Sequence, residues 1–509
     1  MLEGSDRIEK VYPSKRQQKD PMSLTQPKKP KQYPQKVAED LREWIDQVEA
    51  LGELRHVDKA SCNLEIGTIV DIAIEKIGRP AFLFDRIPSF ATGRRVLGNV
   101  LTSPKRVALA SGMDPKTEQL DIVQKWREIF ARMKQEPIHE ISDGPILQNV
   151  QSGKQVDLNG FPAPYWHEKD GGHFIGTGCL VVMRDPDSGW INTGTYRIQV
   201  HDERTTGILI TRGRHGDVIM RKYWEKGESC PVAVVAGGHP LFVMLGGIPI
   251  GDTISEYDVV GGIWGHPVDV VKTPAHSLPV PASAELVLEG TIPYDMKHPE
   301  GPFGEWTGYY AAPLKDEPII KVENILYRDN PINLGIMPGM PPNDNTYFLN
   351  YLQSALVWSQ IEAAGVSGVQ SVWAHEAGGS RMWQTVSINQ LHPGHSKQAG
   401  LLAATCRAGG YVNRVTVVVD EDIDSTNTDE VIWAISTRFD PREDLETLHK
   451  CHSSPLDPMS YPDDMKCYNS RIIIDACIPW EKRNQFPEPA RASKDLRKKT
   501  WEKWHHLFE

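Results

Sequence analysis

Hydrophobic positions near the start of the chain recur first at a helical and then at a strand period. Val37, Leu41, Trp44, Ile45, Val48 and Leu51 fall three and four residues apart, which predicts an amphipathic helix over 37–51. Further helices are expected at 64–77 and 117–133, with strands at Phe82-Leu-Phe and Arg95-Val-Leu-Gly-Asn-Val. Residues 37–145 therefore read as a mixed α/β domain. Over 146–325 the pattern changes to short β-rich runs: Cys179-Leu-Val-Val-Met, Thr195-Tyr-Arg-Ile-Gln-Val, Gly207-Ile-Leu-Ile, Val232-Ala-Val-Val and Ile319-Ile-Lys-Val. Separated by Gly, Pro and Asp, they predict a β-barrel or sandwich. From 326 to 490, helical segments at 349–364 and 400–408 alternate with the strands Val372-Trp-Ala, Val415-Thr-Val-Val-Val and Ile472-Ile-Ile-Asp, the pattern of a C-terminal α/β domain. Residues 491–509 read as a final helix whose Leu496, Trp501, Trp504 and Phe508 need a surface to pack on, such as a neighbouring subunit. Residues 1–36 lack any apolar period, carry nine Lys/Arg against four Asp/Glu, and read as a disordered extension or processed leader.

At 509 residues the chain has room for two to four domains. It offers no run of about 18 apolar residues, so no membrane span is expected. The net charge of −11 argues against a general nucleic-acid binder. Seven cysteines without a C-x-x-C pair, and no secretory h-region, fit a reducing, cytoplasmic setting.

Familiar catalytic motifs are missing from the sequence: no G-x-G-x-x-G, Walker A, H-E-x-x-H or G-x-S-x-G segment occurs. His392 and His395 are separated by Pro-Gly and read as a turn, and Cys451-His452 reads as a surface pair in a polar loop. Three segments are less ordinary. Asn192-Thr-Gly-Thr-Tyr-Arg197 sets an amide, a glycine turn and a guanidinium at the start of a strand, where backbone N–H groups can approach an anion. His215, after Arg214, and Glu256 add an imidazole and a carboxylate; with Asn192 they form a donor set suited to Mn²⁺ or Mg²⁺ beside a phosphate. Pro299-Glu-Gly-Pro-Phe-Gly-Glu305 holds two carboxylates across a turn. That loop is either an exposed acidic turn or, with Arg197 beside it, a place to bind a substrate carboxylate and supply a proton.

In order and separation these segments resemble the UbiD family of reversible decarboxylases, which use prenylated FMN. Gly394-His-Ser-Lys397, Asp420-Glu-Asp-Ile-Asp and Trp433-Ala-Ile-Ser-Thr-Arg438 extend the resemblance, which covers roughly 37–490. It implies an N-terminal α/β domain, a central split β-barrel that holds the flavin, and a C-terminal α/β domain. Asn192, His215 and Glu256 would bind the divalent metal, with K⁺ on carbonyls near Leu245, Gly246, Ile248 and Glu256. Gly194, Thr195, Tyr196, Arg214 and Lys397 would contact the cofactor. Arg197 would bind the departing carboxylate, Glu300 would orient it, and Glu305 would donate the proton. The resemblance further implies an aromatic or α,β-unsaturated acid and CO₂ as reactants, a flavin prenyltransferase as cofactor supplier, and a homodimer or homohexamer. Trp306, next to the acid, and the altered spacing around His452 leave benzoate-like, heteroaromatic and acyl-CoA-linked acids open. Rival expectations are a carboxylase, a subunit of a multisubunit (de)carboxylase, a non-catalytic assembly subunit and a flavin oxidoreductase. All six catalytic and metal positions are present, which weighs against a non-catalytic role.

Overall fold

A computed structural model describes residues 37–75, 79–248, 250–251, 253–460 and 467–507. The extension expected at 1–36, the end of the helix expected at 64–77, and Phe508 lie outside the described residues.

The first apolar period is realised as helix Leu41–Ala50, which buries Leu41, Trp44, Ile45 and Val48. It starts later than the pattern suggests because Asp40 leaves the helix to cap it, accepting the Glu43 N–H at 2.7 Å. Helices Glu65–Ile74 and Gln119–Arg132 follow their expected spans, and an unanticipated helix, Pro104–Ala110, opens on a proline whose fixed φ suits a first turn. The adjoining sheet runs in the order Leu54–Asp58, Ala81–Asp85, Arg95–Gly98, Ile332–Leu334. Its last strand comes from far along the chain and pairs parallel with Arg95–Gly98.

The central element is a ten-stranded sheet whose strands pair antiparallel. The 13-residue strand Lys315–Tyr327 is long enough to pair with Thr205–Leu209, Leu286–Ile292, Lys297–Glu300 and Asn149–Ser152. Strand Ile191–Gly194 ends the strand order at one side, while Arg197–Val200 lies next to last at the other. Only Thr195 and Tyr196 join them, so the sheet must curl until its two ends meet. That closure fulfils the barrel expectation and places Asn192 and Arg197 on one seam.

The C-terminal sheet has the order Val369–Ala374, Trp383–Ile388, Val415–Asp420, Tyr468–Ala476, Leu445–His452. Helix Asp344–Ala363 packs between this sheet and helix Gln119–Arg132, starting in a capping box of Asn343 and Thr346. One apolar cluster thus runs from Ala38 to Cys477.

Glu285 clamps the junction of the first two sheets. Its carboxylate is fully buried and accepts hydrogen bonds from Arg42 at 2.8 and 2.9 Å, Arg328 at 3.2 Å and the Ile332 N–H at 3.2 Å. Replacing it with alanine leaves two guanidinium groups without their shared anion. Glu285→Ala is expected to destabilise the fold by about 3–5 kcal/mol, the range for breaking a buried ion pair, read as a lowered unfolding midpoint in urea.

Candidate active site

Arg197 opens its strand with a side chain that is 9% exposed. Its Nε and Nη2 donate to the two oxygens of Glu300 at 2.8 and 2.7 Å, a bidentate fork on a carboxylate that is 1% exposed. Its Nη1 donates to Glu305 in a further short contact. The ring of Phe303 lies under the guanidinium at 5.2 Å. Of the two readings of the Glu-Gly-Pro-Phe-Gly-Glu segment, the exposed acidic turn is therefore set aside: both carboxylates are buried on one cation. Burial pushes the Glu305 carboxyl above its ordinary range; Arg197 opposes that rise and the negative charges of Glu300 and Asp170 add to it.

Residues 167–173 hold this loop in place. Gly171 donates to the Pro302 carbonyl at 2.7 Å, and Gln199 bridges the two segments by accepting the Gly301 N–H and donating to the Gly171 carbonyl, both at 2.9 Å. Two glycines are required. Gly301 has φ of +80°, and a Cβ on Gly171 would sit 1.9 Å from the Gly301 oxygen.

At the other end of the seam, Asn192 is buried and its Oδ1 lies 3.1 Å from His215 Nδ1. His215 begins helix His215–Glu225 with Arg214 at its N-cap, and Glu256 begins helix Glu256–Trp264. The Glu256 carboxylate accepts the Thr193 N–H at 2.8 Å and its hydroxyl at 3.2 Å, so it abuts the peptide following Asn192. Burial pushes Glu256 up to about 7, with Asp258 adding to the rise and the Thr193 hydrogen bonds opposing it. The Asn192 amide nitrogen is buried without a hydrogen-bond partner. An amide oxygen, an imidazole and an uncompensated carboxylate make a donor set that fits a divalent cation. No three His, Cys, Asp or Glu side chains gather as a metal site among the described residues, and this trio has only two of those types. Between the two clusters, a Cβ on Gly194 would fall 2.6 Å from the Tyr196 ring, and the Tyr196 hydroxyl accepts the Gly216 N–H at 3.2 Å.

A cavity of about 830 Å³ lies between the barrel and the C-terminal domain. Arg197, Arg214 and Glu300 line it, whereas Glu305 sits behind Arg197 and is not a lining residue. Its far wall includes Leu349, Gln353, Arg381, Arg407, Tyr411 and His452. Reading the sequence passes over the first five of these, since each sits in an ordinary helix or loop pattern. Leu349, Gln353 and Leu356 are the one exception with a signal, falling four and three residues apart on one helix face. The loop expected at Cys451-His452 is instead the end of strand Leu445–His452; His452 is exposed, as expected of a surface pair, and also lines the cavity. Trp306 stacks on Arg381 at 4.9 Å and does not line the cavity. Lys397 is not brought to the site; its side chain is 52% exposed and pairs with Glu446 at 2.5 Å.

A pyrrole-2-carboxylic acid decarboxylase of Pseudomonas aeruginosa is 32% identical to the chain over 474 residues, which cover 89% of this chain and 93% of that one. The chain belongs to the UbiD family. Profiles of the 3-octaprenyl-4-hydroxybenzoate carboxy-lyase N-terminal, Rift-related and C-terminal domains match residues 45–126, 139–341 and 346–476. A phenolic acid decarboxylase of a Streptomyces species is also 32% identical, over 89% of this chain and 95% of its own. Among solved structures, the vanillic acid decarboxylase of Sedimentibacter hydroxybenzoicus in open form superposes with a TM-score of 0.82 at 28% identity, covering 93% of this chain and all of that one. The UbiD-class enzyme HmfF of Pelotomaculum thermopropionicum, solved in complex with prFMN, superposes at 0.78 with 25% identity, covering 91% of this chain and 98% of its own. In this UbiD chain both clusters fall within the Rift-related match, while the far wall of the cavity belongs largely to the C-terminal one.

Removing the shared cation tests the electrostatics of the cluster. Arg197→Met leaves two buried carboxylates facing each other, so at about pH 8 the variant should lose about 3–5 kcal/mol of stability. A carboxyl whose folded pKa exceeds its unfolded value stabilises the fold below the unfolded value and loses that contribution as pH rises toward the folded one. Glu305 is raised already and rises further without Arg197. The deficit against wild type should therefore shrink as pH falls from about 8 toward about 4.5, the ordinary range for glutamate, when unfolding is measured across that span.

Proposed function

We propose that this chain catalyses reversible, non-oxidative decarboxylation of an aromatic or α,β-unsaturated carboxylic acid with prenylated FMN. The supporting observation is the Arg197 fork, fixed on two sides by Glu300 and held at its free end by Glu305. When bound, the prenylated flavin supplies the electron-accepting group against which the bond to the carboxyl carbon breaks. The cavity is of a size that takes a flavin ring and a small acid together. Asn192, His215 and Glu256 would hold Mn²⁺, with K⁺ on the nearby carbonyls of Leu245, Gly246, Ile248 and Glu256, and a flavin prenyltransferase would supply the cofactor. Backbone at Gly194, Thr195 and Tyr196 would face its phosphate. Helix Lys494–Trp504 leaves Leu496 and Trp504 55% and 41% exposed, which supports assembly as a homo-oligomer.

The arriving carboxylate takes the Nη1 end of Arg197, the end that Glu300 leaves to others. Glu305 thereby loses its cation and gains a like charge nearby, and both changes raise its proton affinity. Substrate binding thus loads the acid. After CO₂ departs, Glu305, which meets the cavity only once its contact with Arg197 Nη1 is broken, passes its proton to the carbon that held the carboxyl group, and Arg197 is again free to pair with it. Run backward, the same groups remove that proton and bind the new carboxylate.

Two outcomes follow for protein made alongside a flavin prenyltransferase. Glu305→Gln keeps the shape and loses the proton, so turnover should fall by about 10⁴-fold or more with flavin content unchanged. Turnover within about tenfold of wild type would assign the proton to another group. His215→Ala and Glu256→Ala should each lower metal and flavin content together, measured by elemental analysis and absorbance, because the phosphate charge would lose its counter-ion.

A further inference from the structure

Asp170 is a buried acid that the proposed reaction does not use. Its side chain is 0% exposed, and both oxygens accept backbone N–H groups: that of His167 at 3.0 Å and that of Gly304 at 2.9 Å. No lysine or arginine pairs with it among the described residues. The nearest basic atom, His167 Nδ1, lies 3.4 Å away without hydrogen-bond geometry and is itself buried and unpartnered. The His167 ring is wedged between two glycines, since a Cβ on Gly304 would sit 3.0 Å from Nδ1 and one on Gly339 3.2 Å from Nε2. Tyr165 donates to the Asp170 carbonyl at 2.5 Å, which fixes the backbone that carries the acid. The Asp170 carboxylate is thus held by two N–H groups and approached by Tyr310, with no lysine or arginine to offset it among the described residues.

Gly304 immediately precedes Glu305. We propose that Asp170 is a positioning residue for the proton donor: it anchors the peptide that carries Glu305, and sets a negative group behind that peptide that favours the proton which substrate binding loads. The inference rests on the reading of Glu305 as that donor. Three charged groups act on the Glu305 carboxyl, Arg197, Glu300 and Asp170, and the His167 ring lies against the preceding Gly304. Tyr310 reaches Asp170 from the far side of the loop. Arg197 works against protonation and is neutralised by substrate, whereas Asp170 works for it whether or not substrate is bound. The bias is therefore built into the resting loop.

Asp170→Asn and Asp170→Ser both remove the charge and keep an oxygen that can accept the Gly304 N–H. Activity needs the protonated acid, so it falls as pH rises through the Glu305 pKa, and removing a nearby negative charge lowers that pKa. The alkaline limb of kcat/KM should move to lower pH by about one unit or more in both variants, the low end of a neighbouring charge's effect. Infrared titration of the metal- and flavin-free protein gives a second readout. The protonated carboxyl band absent from Glu305→Gln should titrate at correspondingly lower pH in the Asp170 variants. His167→Gln should leave limb and band in place. Slower turnover with limb and band unmoved in both Asp170 variants would reduce Asp170 to a structural tether and overturn the proposal. So would a limb that moves only in His167→Gln. Full turnover in Glu305→Gln would instead sink the donor assignment, so the two failures are distinguishable.

Discussion

The site depends on keeping one guanidinium and two carboxylates together away from water. Ions of this size lose several kcal/mol each on leaving solvent, and their attraction offsets that loss only when the remaining lone pairs and protons are satisfied. Arg197 meets the condition by spending Nε and Nη2 on Glu300 and Nη1 on Glu305. The surrounding backbone follows from this need. The Gly301–Glu305 loop approaches the guanidinium closely enough that a Cβ on Gly301 would lie 3.2 Å from Arg197, and Gly171 approaches the loop so closely that a Cβ there would collide with the Gly301 carbonyl. Gln199, on the same strand as Arg197, completes the support.

Barrel closure places the second requirement beside the first. Because Thr195 and Tyr196 alone join strands at opposite ends of the sheet order, an anion held by the Asn192 end is delivered next to Arg197 without any long linker. Both ends carry an excess of carboxylate. At the Arg197 end the carboxylates outnumber their cation. At the Asn192 end Glu256 is a buried carboxylate that no lysine or arginine pairs with among the described residues, which a metal would complete.

Much of this was legible in the sequence, for reasons that differ by element. Helix Leu41–Ala50 and strand Val415–Asp420 declare themselves through apolar period, because each buries one face or both against a continuous core. The Arg197, Glu300 and Glu305 cluster is visible because glycines and a proline hold the carboxylates at fixed separation. Strand Ile332–Leu334 is not, since its three residues signal nothing about returning to the first sheet. Nor does the far wall of the cavity reveal itself. Arg381 carries no motif, and only packing shows that Trp306 stacks on it and leaves the cavity to the arginine. Lys397 misleads for the converse reason: its segment resembles the family, but the side chain points to Glu446 on a neighbouring strand.

Net charge is similarly uninformative at the level of the whole chain. A protein of charge −11 should repel an anionic acid, yet eight cationic side chains against four acidic ones line the cavity. Charges farther away than about 8 Å are largely screened at physiological ionic strength, and the low-dielectric walls of a cleft focus the field of those that remain. The local sign therefore governs what enters. Arg381 sharpens the point: burial and the nearby Arg214 lower its pKa to about 10, which still leaves it charged at neutral pH. Under the proposed reaction, a carboxylate drawn in by this wall would be met by Arg197. Once the carboxyl group had left as CO₂, the product would have lost the charge that the wall attracts, so the same electrostatics that favour binding of the acid would favour release of its product.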